Sequence, residues 1–299
     1  MREPGRIGLV AVLCLIWGST WLVIKVGLEE LPPFLSAGLR FTIASMVLFA
    51  VARLRGVRTP SGWPVHIGLL GIGLFGFGLS YGSVYWSEQY LTSGLTAVLF
   101  ATQPFAVMAL AHVAVPGERM TLLKALGVGL GFLGTLLIFG GDLDATHPRA
   151  LTAAAVVLLS PAASAASNVG IKRWGPHLHP FHLTALPMAY GAAALLAVSL
   201  GTEDLSNVNL ATPVAVGSIL YLAILGSVVA FLIYYSLLLQ VPVTTLALVT
   251  YVYPVVAVGL GYLVLGETLG GRVLAGTLLI LVGIAVATRR RVVRDPGRT

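Results

Sequence analysis

Charge is what this chain of 299 residues most lacks: only 10% of it is Asp, Glu, Lys or Arg, against 57% hydrophobic. A soluble domain carries about 25% charged residues, and so few would leave apolar surface facing water. The composition therefore excludes a water-soluble fold and points to lipid. A single cysteine, Cys14, excludes an internal disulfide and a cysteine-cluster metal site. Basic residues outnumber acidic ones, 18 to 11, without implying nucleic acid. They form no stripe and gather at the ends of apolar runs, as at Arg53, Arg55 and Arg58 or Arg289, Arg290 and Arg291, where they orient a membrane protein. The basic-then-apolar start looks like a signal peptide. Its apolar run is long enough to span, ends at Lys25 and has no small-residue cleavage pattern behind it, so a retained first helix is expected.

What the chain has is a series of long apolar runs. A helix crossing a hydrocarbon core of ~30 Å needs about 20 apolar residues. Such runs fall at 7–28, 33–52, 65–86, 92–114, 121–140, 150–171, 180–200, 212–238, 243–265 and 271–288. Ten spans with the N-terminus inside put most of the Lys and Arg in cytoplasmic segments, leave Lys25, Arg149 and Arg272 opposite, and bury Arg40 in span 2. The positive-inside rule then places both termini in the cytoplasm. The expected fold class is all-α integral membrane with ten transmembrane helices.

The second half repeats the first. Pro104 runs on to Gly117-Glu118 as Pro254 runs on to Gly266-Glu267, and Gly127 and Gly134 match Gly276 and Gly283. Lys25 matches Lys172, and Pro33-Phe34 matches Pro180-Phe181. Five spans per half is an odd number, so the units 1–145 and 146–299 are expected to lie inverted in the membrane. That architecture carries a substrate site between the halves, near the midplane of an alternating-access carrier.

Trp17-Gly18-Ser19-Thr20-Trp21, Leu39-Arg40-Phe41 and the mid-helix prolines leading to Gly-Glu together resemble the EamA-type branch of the drug/metabolite transporter superfamily. The resemblance covers nearly the whole chain. It implies a ten-helix carrier around a central cavity in the inner membrane of a bacterium, exporting metabolites, with amino-acid exporters the members most suggested.

The residues themselves supply site candidates. Trp17, Trp21 and Lys25 stand four apart on one face of span 1, and Ser164, Asn168 and Lys172 repeat that spacing in span 6. Trp17 lies too deep for an interfacial belt. Tyr81, Tyr85 and Glu88 share a face of span 3. For Tyr81, Tyr85, Tyr234 and Tyr235 a cavity role and plain packing, with the hydroxyl satisfied by a carbonyl, both stand. Pro104 and Pro254 interrupt their helices beside Gln103 and Tyr251, marking hinges next to polar groups. The expected substrate-binding set is Trp17, Trp21, Tyr81, Tyr85, Gln103, Ser164, Asn168, Tyr234 and Tyr251. Arg40 could receive a solute carboxylate, or it could pair with Glu29, Glu30 or a helix end as scaffold, the role favoured here. Glu118 and Glu267 read as helix caps, and His177, His179 and His182 as a solvated connection rather than a metal cluster. No metal, cofactor or enzyme motif is present in the sequence, so the expected partners are a small solute and the bilayer, without nucleic acid; the oligomeric state is open, and a single chain can suffice.

Substrate and coupling are read from what the spans omit. Every Asp and Glu falls near a helix end, Glu88 being the deepest. With no buried carboxylate to balance a cation, a cation or multidrug exporter becomes the alternative rather than the first reading. A neutral or zwitterionic solute suits the Trp, Tyr, Ser, Thr, Asn and Gln available. The same omission predicts a facilitator, since proton coupling uses an intramembrane carboxylate or histidine.

Overall fold

Prolines set where several of these helices begin, because a residue without an N–H fits a first turn whose amides have no intrahelical partner. A computed structural model describes residues 3–91, 93–139, 147–253, 255–256 and 271–288, and among them every regular element is helical. Four helices carry proline in the first turn: α2 (Pro33–Leu54), α3 (Trp63–Ser87), α7 (Pro180–Thr202) and α8 (Pro213–Leu238). They are joined by α1 (Glu3–Gly27), α4 (Ser93–Phe100 and Gln103–Ala114), α5 (Leu122–Phe139) and α6 (Ala150–Trp174). The last two are α9 (Val243–Ala247, tightening into a 3-10 turn over Leu248–Tyr251) and α10 (Gly271–Thr288).

Seven of these, α1 to α4 and α6 to α8, contain stretches long and apolar enough to cross a membrane, while α5 and α10 hold shorter apolar segments. Helices suit that solvent because each backbone group is satisfied within its own segment. Outward faces carry Leu15, Leu22, Phe75, Leu133, Leu200 and Leu278, all exposed, as lipid-facing positions require.

The most extensive helix pairs join distant parts of the chain: α5 packs along α10, and α2 along α7. In the α5–α10 pair the backbones touch. A methyl group on Gly134 would come within 2.5 Å of the Gly276 carbonyl oxygen, and one on Gly276 within 2.6 Å of that of Gly134. Gly127 and Gly283 meet in the same way, so the two helices run antiparallel past each other at small-residue crossings.

Two further features recur at a constant spacing. Each of α3 and α8 contains a six-residue π-helical turn, Leu74–Leu79 and Ile224–Val229, 150 residues apart. Each of α4 and α9 is interrupted just before its proline: α4 breaks at Ala101–Thr102 ahead of Pro104, and α9 becomes 3-10 ahead of Pro254, which itself lies outside the described residues. Proline disfavours helical geometry in the residue before it and supplies no amide, which accounts for both breaks.

Lysines and carboxylates close the helix ends. Lys25 donates to the carbonyls of Glu88 and Leu91 at the end of α3, and Lys172 to those of Leu238 and Val241 at the end of α8. Glu203 accepts from the amides of Phe34 and Leu35 at the start of α2. Glu118 accepts from the amides of Val243 and Thr244 and from the Thr244 hydroxyl at the start of α9. Glu118 is thus a cap, while its repeat mate Glu267 lies outside the described residues.

Candidate functional site

The faces of α1, α3, α4, α6, α8 and α9 converge on a narrow cavity of about 80 Å³. Helix α1 contributes Trp17, Thr20, Trp21 and Ile24, spaced as a single helical face. Helix α6 contributes Ser164, Ser167 and Asn168 on the same rule, and α8 contributes Phe231, Tyr234 and Tyr235. From α3 come Gly76, Ser80, Tyr81 and Val84; Phe100 and Gln103 come from α4, and Thr250 and Tyr253 from the α9 segment. None of the described lining residues carries a formal charge.

Trp17 is the aromatic centre of this wall. Its ring meets Phe231 and Tyr234 at 5.1 Å and Tyr253 at 5.8 Å, and its indole N–H donates to the Gly226 carbonyl at 3.1 Å. Trp21 stands edge-on to Phe100 at 5.6 Å. Opposite these rings, Gln103 joins two helices of the second half: its amide N–H donates to Ser164 Oγ at 3.3 Å, and its carbonyl accepts from Thr250 at 3.1 Å. Ser80 and Ser160 share a hydrogen bond of 2.8 Å. The cavity thus pairs an aromatic wall with fixed neutral donors and acceptors.

Arg40 lies just behind that wall and is 1% exposed. It donates to Ser227 Oγ at 2.8 Å, to the Tyr85 hydroxyl at 3.1 Å and to the Gly226 carbonyl at 3.2 Å. Its guanidinium also stands 5.0 Å from the ring centres of Phe41 and Tyr81. Gly226 belongs to the π turn of α8, and its carbonyl serves both Trp17 and Arg40. Such turns expose a carbonyl to other partners and gather at functional sites.

Of the residues expected at a binding site, the cavity brings together Trp17, Trp21, Tyr81, Gln103, Ser164, Asn168 and Tyr234. It leaves out two. Tyr85 is fully buried behind the wall, where it serves Arg40. Tyr251 turns away toward α5 and donates to the Val128 carbonyl at 3.0 Å. Thr250 and Tyr253, three residues apart, share the cavity face, and Tyr251, the residue after Thr250, points elsewhere. Pro104 is buried at the restart of α4.

Three other expectations need correction. Arg40 is held by neutral groups, not by Glu29 or Glu30; Glu30 instead accepts from Thr212. His182 is not in a solvated connection: it is 2% exposed on α7, with neither ring nitrogen hydrogen-bonded. Buried carboxylate is not absent either. Glu88, the residue after α3, is 0% exposed and neither of its carboxyl oxygens has a hydrogen-bond partner. Sequence reasoning also passed over Thr20 and Ser167, which an i, i+3, i+4 extension from Trp17 and Ser164 would have found.

The sequence profile of the EamA-like transporter family matches this chain twice, at residues 6–140 and again at 151–289. The chain belongs to the EamA-like transporter family. The family makes it a membrane transporter of the EamA type. It is 30% identical over 288 residues to the uncharacterized transporter YoaV of Bacillus subtilis, covering 94% of this chain and 96% of the relative. It is 28% identical over 298 residues to a probable amino-acid metabolite efflux pump of Salmonella typhimurium, covering 95% and 94%. A solved crystal structure superimposes with a TM-score of 0.79 at 20% identity, over 96% of this chain and 98% of that one, which bears on the fold alone.

Proposed function

We propose that this EamA-type transporter moves small neutral or zwitterionic metabolites, amino acids foremost, out of a bacterial cell through the cavity described above. The observation that carries the reading is the lining: aromatic rings and neutral hydrogen-bonding groups drawn from both halves, with no charge among the described lining residues. A permanently anionic solute would want Arg or Lys there. The printed name of the Salmonella relative points the same way.

The carrier works by alternating access of two inverted units, 1–145 and 146–299, each of five spans, with both termini cytoplasmic in the inner membrane. Support comes from the twofold profile match, from the paired π turns of α3 and α8, and from the antiparallel glycine crossings of α5 and α10. The substrate-binding residues are Trp17, Trp21, Tyr81, Gln103, Ser164, Asn168 and Tyr234, joined by Thr20, Ser167 and Thr250. Helix α4 hinges at Pro104. The facilitator expectation loses its premise with Glu88 buried.

A multidrug or cation exporter remains the second reading, favoured by the eight aromatic rings of the wall. Proteoliposome counterflow over the twenty amino acids and several lipophilic cations decides between them. Amino acids should exchange and cations should not. Trp17→Ala should cut exchange by at least about tenfold, as loss of a central aromatic anchor does, while the protein still elutes as a folded species. Full exchange in that variant would remove the cavity from the pathway.

A further inference from the structure

The wall of the cavity is neutral, yet a guanidinium stands directly behind it. Its hydrogen-bond partners, Ser227, Tyr85 and Gly226, are all uncharged, so the positive charge is solvated without being cancelled. The nearest acid along α3, Glu88, receives no hydrogen bond to either carboxyl oxygen. A buried carboxylate without donors is disfavoured in its charged form, which makes it a poor counter-ion for Arg40. A charge held in so little water is weakly screened, and its field reaches several ångströms into the cavity. The route is short. Tyr81 lines the cavity and presents its ring to Arg40 at 5.0 Å, and Trp17 shares with Arg40 the carbonyl of Gly226. With its electron-rich ring already engaged by a cation, Tyr81 is also a weaker host for a second one.

We infer that Arg40 determines the specificity of this carrier without touching the solute: its uncancelled charge turns a zwitterion's carboxylate toward the Trp17–Tyr81 wall and holds out cations that lack a carboxylate. This rests on the cavity being the substrate site. It also gives Arg40 a task that scaffolding alone would not require, since a neutral side chain could satisfy the same π-turn carbonyl.

The test is a titration of intrinsic tryptophan fluorescence in the purified protein. The probes are L-phenylalanine, L-threonine, the amides of both, and tetraphenylphosphonium. Each amide keeps side chain and ammonium but has lost the carboxylate. Wild type and Arg40→Lys should favour acid over amide by at least about tenfold, the scale of one partly screened charge, and should exclude tetraphenylphosphonium. Arg40→Gln should bring acid and amide to parity and admit the cation. Ser227→Asp retains the arginine but places a carboxylate where its Nε now donates, so it should behave like Arg40→Gln even if that variant fails to fold. A folded Arg40→Gln or Ser227→Asp that keeps the wild-type preference overturns the inference. If wild type binds neither amino acid, the amino-acid reading fails separately, and tetraphenylphosphonium alone judges Arg40. Admission by the charge-cancelled proteins only would support the role, and equal binding to wild type would end it.

Discussion

Two helix ends in this transporter are built alike and finished differently. Where α8 gives way to α9, Lys172 holds the outgoing carbonyls of Leu238 and Val241, and Glu118 holds the incoming amides of Val243 and Thr244. Where α3 ends, Lys25 holds the carbonyls of Glu88 and Leu91 in the same manner. The acid on that end, Glu88, holds nothing. The same residue type is therefore a fastener at one site and an unsatisfied guest at the other. What separates them is donor supply: Glu118 meets the free amides of a helix start, whereas Glu88 sits at a helix finish, where the free groups are carbonyls.

That contrast predicts unequal costs. Glu118→Ala removes three hydrogen bonds to a buried carboxylate and strands two amides, so it should destabilise the protein by about 3 kcal/mol, read as thermal unfolding in detergent. A loss near zero would mean that water or another side chain replaces the cap. Lys172→Met should cost less, about 1–2 kcal/mol, because the carbonyls it leaves can in part find other donors. Glu88→Gln should shift stability by no more than about 0.5 kcal/mol, in either direction, since it replaces an unpartnered carboxylate by a neutral isostere. A fall approaching that of Glu118→Ala would show that Glu88 is ionised and held after all, and the distinction between the two ends would collapse.

How far the sequence disclosed this arrangement depends on whether a feature lies along one helix or between several. Regular α-helical stretches were readable. The face of Trp17 and Trp21 and that of Ser164 and Asn168 both turn into the cavity, since a 3.6-residue period holds along α1 and α6. What a side chain on such a face will bind is not readable: Tyr85, four residues after Tyr81 in the same α-helical stretch, is taken by Arg40, and Tyr251 reaches the Val128 carbonyl. Arg40 was recognisable as a buried charge, but its partners were not, because backbone carbonyls released by a π turn leave no mark in residue identity. Glu88 was seen as the deepest acid, while its burial depends on neighbours contributed by other helices, which no single segment encodes. The α4 break was announced by Pro104 itself.

The seam between α5 and α10 limits how such a molecule can change shape. Where carbonyl oxygen meets Cα with no side chain between, a shift along the seam drives neighbouring Cβ atoms into main chain. With two such crossings about two turns apart, slippage is resisted and the crossing angle is pinned, so α5 and α10 are expected to travel as one body in any rocking of the halves.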